Sequence, residues 1–324
     1  MKFQHTLMGM VLALFSCTND VEVLPEIETG WSKVSAISDE VLAVYKASDE
    51  RIWVGTATQG VYVYDGSNFT NYRTSQGLIN NTVNAISEFS NGDMWFGTSG
   101  GLSVYDGSWT NYDQVNGSPF EVYSLLNDGQ GNMWINSWGM GLFSYDENDE
   151  LLWYWDANCD WCNYINTLFQ DGQGNLWIGT YAGLKKRANN SFTLYTITDG
   201  LPDNVVTSVY EDSWGRMWIG TYNGEKIGMM ENNKFSSMSL QSGYPVNSIM
   251  AISEDIMGNM WFGAIDYFPD TQEFNNSGII KYDGATMRTL VDEGPGRTNT
   301  LAFLEEGNGT VWVGTAKGLY KYKY

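Results

Sequence analysis

The sequence predicts an all-β protein, a seven-bladed β-propeller of four-stranded antiparallel blades, on three observations. The phrase "DGQGNLWIGT" at 171–180 recurs in variant form around Trp53, Trp95, Trp134, Trp177, Trp218, Trp261 and Trp312, at spacings of 42, 39, 43, 41, 43 and 51 residues. A period of this length marks a repeat array. Each repeat carries four short strand signals separated by turns, which describes one blade. The last repeat ends one strand short, at "GLYKYKY" (318–324), while "GWSKVS" (30–35) precedes the first complete blade and matches the outer-strand position of "FTNY" (69–72). That segment is expected to pair beside the last strand, close the ring and make the termini neighbours. Closure removes open sheet edges.

Within a repeat, an apolar run such as "TVNAISEF" (82–89) leads through a Gly/Asn/Asp-rich turn into the strand that carries the tryptophan. A second hairpin follows, as in "GLSVYDGSWTNY" (101–112), where Asp106-Gly107 suggests a type I′ turn. The tryptophan is expected to act as a wedge between neighbouring sheets, burying on the order of 200 Å². Two residues later comes glycine in six of the seven repeats, which suits a close approach of another backbone. Asn136 replaces that glycine in the third repeat, and Ala264 replaces the following threonine in the sixth. "GEKIGMM" (224–230) lacks the usual Tyr-Asp pair, so the outer hairpin of the fifth blade is expected to be irregular.

The chain holds 38 Asp and Glu against 17 Lys and Arg, scattered through turns, for a net charge of −21. Such a surface repels phosphate backbones and excludes nucleic acid as a partner. Aromatic residues make up 15% and charged residues 17%, which suits a large core. The opening "MKFQHTLMGMVLALFSC" has Lys2, then an apolar run from Leu7 to Phe15, the pattern of a signal peptide too short to span a membrane. Leu14-Phe15-Ser16-Cys17 resembles a bacterial lipobox, in which the cysteine is acylated; ordinary secretion with cleavage elsewhere is the alternative. The expected organisation is therefore a lipoprotein signal peptide (1–16), a tether (17–29) and the propeller (30–324). Cleavage at Cys17 would remove His5, the one histidine.

The pattern "D-x-x-G-N-L-W-I-G-T-x-x-G-L", followed about 20 residues later by "DGLPDNVV" (199–206), resembles the two-component regulator propeller repeat. The resemblance extends over about residues 30–324. It implies a periplasmic sensor propeller of the kind found in bacterial hybrid histidine kinases, where such repeats are associated with recognising polysaccharide fragments. Unlike those kinases, this sequence is expected to have no kinase domain, no transmembrane helix and, once His5 is cleaved away, no histidine to phosphorylate.

Loops joining strands two and three, and those joining blade to blade, share one face of a propeller, where ligands gather. The residue after the "W-x-G-T" phrase is Ala57, Ser99, Trp138, Tyr181, Tyr222, Ile265 and Ala316 in turn, aromatic in three consecutive blades. An insertion in the sixth blade, 264–278, adds Tyr267 and Phe268 beside Asp266, Asp270 and Glu273, and "DANCDWCN" (156–163) adds Trp161. Trp138, Trp161, Tyr181, Tyr222, Tyr267 and Phe268 would form an aromatic, acidic arc over blades three to six, able to cover the C–H face of a sugar. The alternative is that these rings only pack the loops together. Asn81, Asn163, Asn204, Asn247 and Asn299, at the start of innermost strands, are expected to cap their own turns, or else to form a polar rim. Cys159 and Cys162 are expected to form a disulfide holding Trp161.

With His5 lost by cleavage at Cys17, Ser-His-Asp and Cys-His triads are excluded. Asp266, Asp270 and Glu273 remain weak candidates for carboxylate-pair glycosidase chemistry. They would also be the place for Ca²⁺, though no recognised ligand spacing is present, and no other metal or cofactor is indicated. The reading is a non-enzymatic, monomeric propeller, lipid-anchored to the outer membrane of a bacterial envelope and touching the membrane only through that anchor. It binds or senses an oligosaccharide. A polysaccharide-active lyase or hydrolase and a scaffold for an envelope protein are the alternatives.

Overall fold

The computed structural model describes residues 30–146, 148, 150–222, 226–240, 247–265, 277–290 and 292–324. The expectations for Cys17, the signal peptide and tether, and for Asp266, Tyr267, Phe268, Asp270 and Glu273, lie outside these residues.

Seven four-stranded antiparallel sheets form a closed ring. The innermost strands are Val41–Lys46, Val83–Glu88, Val122–Asn127, Ile165–Gln170, Val206–Glu211, Ser248–Glu254 and Thr300–Glu305. Gly30–Lys33 pairs antiparallel with Gly318–Lys323, so the first strand completes the seventh blade. An additional small hairpin, Gln114–Val115 with Ser118–Pro119, lies between blades two and three.

The repeated phrase divides into parts with separate physical tasks. In the turn after every innermost strand, a backbone N–H donates to the carbonyl four residues on, as in Asp171 to Asn175 (3.0 Å) and Asp212 to Arg216 (2.9 Å). In blades three to seven the first turn residue is acidic and its carboxylate accepts from the indole Nε1–H six residues later. Asp128, Asp171, Asp212, Asp255 and Glu306 bond Trp134, Trp177, Trp218, Trp261 and Trp312 at 3.0, 2.8, 2.7, 2.7 and 3.0 Å. The same carboxylate takes backbone N–H groups of its own turn, as Asp171 does from Gln173 and Asn175. A single side chain thus shapes the turn and satisfies the buried wedge.

Blades one and two carry Ala47 and Phe89 at that position, and the Nε1 atoms of Trp53 and Trp95 are buried with no hydrogen-bond partner among the described residues. Arg51 lies over the ring of Trp53 in the place that Arg216 takes over Trp218. Ala47→Asp should therefore rebuild the Asp212–Arg216–Trp218 arrangement in blade one. The expected result is a stabilisation of about 1 kcal/mol, read as a higher denaturant midpoint at unchanged m-value. An unchanged or lower midpoint would show that the unpaired indole costs nothing.

Each innermost strand has a bulge near its start, for example between Val206 and Ser208 and between Ile249 and Ala251. The glycine of "W-x-G-T" faces the bulge of the next blade. A Cβ on Gly220 would lie 2.5 Å from the Ile249 carbonyl oxygen, and one on Gly263 would lie 2.6 Å from that of Thr300. Asn136, in the glycine position of blade three, donates its Nδ2 to the equivalent carbonyl, Ile165, at 2.9 Å. The blades are further laced by Asn84 to Val122 and Asn166 to Val206, each side chain bonding the carbonyl of its neighbour's bulge.

Two local expectations are corrected. Asp106-Gly107 is not a type I′ turn: only Gly107 has positive φ, and the Asp106 carboxylate accepts from the Ser108 N–H. Both central residues have positive φ in Asn189-Asn190 and Asn232-Asn233, where short polar side chains tolerate the left-handed region. The outer hairpin of blade five is regular, with Lys226–Glu231 paired residue for residue to Lys234–Ser239, because that Asn-Asn turn sets the register without a Tyr-Asp pair.

Candidate functional site

In blades one, two, four, five and seven the residue after the "W-x-G-T" phrase is pinned to the start of the innermost strand. Its N–H donates to the residue just ahead of an innermost strand: Ala57 to Glu40, Ser99 to Thr82, Tyr181 to Tyr164 and Tyr222 to Val205. Side chains at these two positions therefore meet on the loop face. In blade four both are aromatic, Tyr181 and Tyr164, and with Trp138, Trp161 and the bulge residue Tyr123 they make a connected group of five rings. Trp138 lies 5.3 Å from Tyr181, 5.6 Å from Tyr164 and 5.8 Å from Tyr123, measured between centroids. Trp161 lies 5.4 Å from Tyr164 and near-parallel to Tyr181 at 6.3 Å.

The rings do pack against one another, in edge-on and stacked geometries, yet they are not thereby hidden. Trp161 is 62% exposed and Trp138 is 40% exposed. Tyr222, the counterpart on blade five, is also exposed. The structure thus gathers Trp138, Trp161 and Tyr181 at blades three and four and sets Tyr222 on the next blade. Tyr123 and Tyr164 are additional members that comparison of the "W-x-G-T" loops did not include. Tyr164 precedes an innermost strand as Thr82 and Glu40 do, and Tyr123 is the bulge residue of its strand, so aligning those two positions across repeats would have found them.

Trp161 is held by its loop. Cys159 and Cys162 are joined by a disulfide, and the intervening residues form one turn of 3₁₀ helix, Asp160–Asn163. Buried Asn163 accepts from the Asp156 N–H (3.0 Å) and donates to the carbonyls of Asp156 (3.1 Å) and Cys159 (3.3 Å). The asparagine position does the same elsewhere: Asn81 accepts from the Thr74 N–H and Asn204 from the Ile197 N–H. These side chains reach back seven residues. They neither cap their own turns, a task done by Asn80 and Asp203, nor form a rim. The positions of Asn247 and Asn299 belong to the same series.

Polar groups border the rings. The Tyr123 hydroxyl donates to Glu121 (2.7 Å), and burial together with that bond pushes its phenol up to about 12. Lys185 pairs with Asp156 at 2.8 Å and holds that carboxyl below the usual range. Beyond the disulfide loop, a groove of about 420 Å³ opens between blades three and four, lined by Trp153, Trp155, Phe192, Asp156, Asn158 and Lys185. The face therefore offers flat apolar surfaces flanked by donors and acceptors. Among the described residues no three His, Cys, Asp or Glu side chains come together to hold a metal.

Residues 161–182 and 200–223 match the family described as two component regulator propeller. The described fold is a seven-bladed β-propeller. No curated protein matches the sequence. Among solved structures, the chain is similar to the extracellular domain of the hybrid two component system BT3049 from B. thetaiotaomicron, at 22% identity and a TM-score of 0.74, over 91% of this chain and 41% of that one. It is also similar to virginiamycin B lyase from Staphylococcus aureus, solved with quinupristin, at 12% identity and a TM-score of 0.69, over 92% and 99%. A third is PorZ, a surface component of the type-IX secretion system of Porphyromonas gingivalis, at 17% identity and a TM-score of 0.66, over 88% and 46%. These likenesses share the fold, and the chain spans about two fifths of the length of the first. Among the described residues no helix is long and apolar enough to cross a membrane.

Proposed function

We propose that this propeller works outside the cytoplasm, anchored by an acyl group on Cys17, and binds an oligosaccharide on the loop face of blades three to five without transforming it. The observation that carries this reading is the group of five rings at Trp138, Tyr181, Tyr164, Trp161 and Tyr123, exposed at its two tryptophans and held by a disulfide-closed loop. Aromatic faces cover sugar C–H groups, while bordering carboxylates, amides and Lys185 meet the hydroxyls. The likeness to the extracellular domain of a two component system supports a sensing context in which an envelope protein, such as a kinase, reads the bound state.

The lyase likeness favours an enzyme less. The solved lyase was made catalytically inactive by exchange of one histidine, whereas residues 30–324 of this chain contain none. A polysaccharide-active enzyme would have to rely on carboxylates such as Asp266, Asp270 and Glu273. The reading as a scaffold for an envelope protein draws on PorZ, a surface component.

A glycan array probed with the mature chain tests the proposal. Retention of a defined set of oligosaccharides, lost when Trp138, Tyr181 and Tyr222 are changed to Ala, is expected. Release of shortened products would point to the enzyme instead, and retention of no glycan would contradict the proposal.

A further inference from the structure

The face opposite the aromatic rings is formed by the turns that follow the innermost strands, and both ends of the propeller lie there. Gly30 pairs with Lys323, Lys323 pairs with Thr310 at the end of the blade-seven turn, and the Tyr324 N–H donates to the Gly309 carbonyl at 3.1 Å. In five blades the exposed tips of these turns are small or polar: Ser48-Asp49, Ser90-Asn91, Gly129-Gln130, Gly172-Gln173 and Gly307-Asn308. In blades five and six, adjacent to the chain ends, they are Trp214 and Ile256-Met257. Trp214 is 80% exposed and Met257 is 70% exposed.

These are built turns. The Trp214 and Met257 N–H groups are held by the carboxylates of Asp212 (3.0 Å) and Asp255 (2.9 Å). The two tips are also tied together. Ser213 donates from N and Oγ to the Glu254 carboxylate, both at 2.7 Å. Ile256 reaches on towards blade seven, its Cδ1 lying 3.4 Å from where a Gly309 Cβ would stand.

We propose that this rigid apolar ridge docks the propeller onto a zwitterionic phospholipid surface. Tryptophan and neighbouring apolar side chains settle at the headgroup level of a bilayer, and the acidic chain disfavours anionic lipid. Gly30, the first described residue, lies on this same face next to the ridge, and Cys17 stands 13 residues ahead of it in the sequence. The geometry rests on the anchor reading for one point: the 12 residues from 18 to 29 span at most about 40 Å, keeping the ridge within reach of the bilayer. Docked this way, the propeller presents Trp138 and Trp161 away from the membrane.

The full chain, purified with its native N-terminal processing, is mixed with vesicles of phosphatidylcholine brominated on the acyl chains, and tryptophan emission is followed. The wild type and Trp161→Phe should both be quenched. Trp214→Phe should lose that quenching, and Met257→Ser should reduce it severalfold. Absence of quenching in the wild type, or equal quenching in Trp214→Phe, overturns the proposal. Mass analysis of Cys17 reads the anchor separately. Acylated protein that floats with vesicles unquenched keeps the anchor and overturns docking, whereas unacylated protein that is quenched supports docking and overturns the anchor.

Discussion

Gly220→Ala is expected to destabilise the propeller by about 3 kcal/mol, the upper end of the usual cost of overpacking. The added methyl would stand 2.5 Å from the Ile249 carbonyl oxygen and hard against Ser208 Oγ. Neither neighbour is free to yield. The carbonyl belongs to the bulge of the next blade and accepts from both Thr207 Oγ1 (2.6 Å) and Ser208 Oγ (2.7 Å). Relief would require blades five and six to separate, exposing the fully buried Trp218 wedge. Gly172→Ala is the matched control, because its methyl meets only the far end of the Glu211 side chain at 3.3 Å. Denaturant unfolding of both variants reads the difference, and equal midpoints would show that the inter-blade contact is slack.

Asp171→Ala is expected to cost a similar amount, about 3 kcal/mol, because it strips several buried donors of one shared acceptor. The carboxylate accepts from Trp177 Nε1, Asn175 Nδ2 and the backbone N–H groups of Gln173 and Asn175. Burial pushes its pKa up, but the bonds from Asn175 and Trp177, with Lys186 nearby, outweigh burial and leave it below the ordinary value. A carboxyl depressed on folding contributes stability that is present above its unfolded pKa, about 3.9. That contribution is lost as pH falls through the lower folded value. The wild type should therefore lose stability steeply below about pH 4, and Asp171→Ala should lose less over the same window. Parallel pH profiles would contradict the assignment.

The architecture was legible because its signals are large and periodic. A tryptophan every 40 or so residues counts the blades, and the unpaired "GWSKVS" declares how the ring closes. The Asp-to-Trp bond was equally present in the text as a six-residue spacing, with Ala47 and Phe89 as its exceptions. A turn aspartate already has a sufficient local explanation, so its presence does not by itself imply the second bond. The reverse held at Asp106-Gly107, where dipeptide identity suggested a turn type that Asn189-Asn190 adopts instead. Trp138, Tyr181 and Tyr222 could be found by aligning one loop position. Tyr123 and Tyr164 belong to a different part of the repeat, and only the pinning of Tyr181 N–H to the Tyr164 carbonyl brings the two positions together. Trp161 was legible as an aromatic in a short Cys-to-Cys loop, whereas its stacking on Tyr181 depends on Asn163 folding that loop back over the blade.

The central claim is that the aromatic loop face of blades three to five holds a glycan. Calorimetric titration with the strongest array ligand tests it most directly, comparing the wild type with Trp138→Ala and Trp161→Ala variants whose near-ultraviolet circular dichroism shows an intact ring. Each substitution should weaken binding by roughly 30-fold, about 2 kcal/mol, as expected of an exposed aromatic anchor at the centre of a site. Wild-type affinity in both folded variants would place the ligand elsewhere and contradict the account.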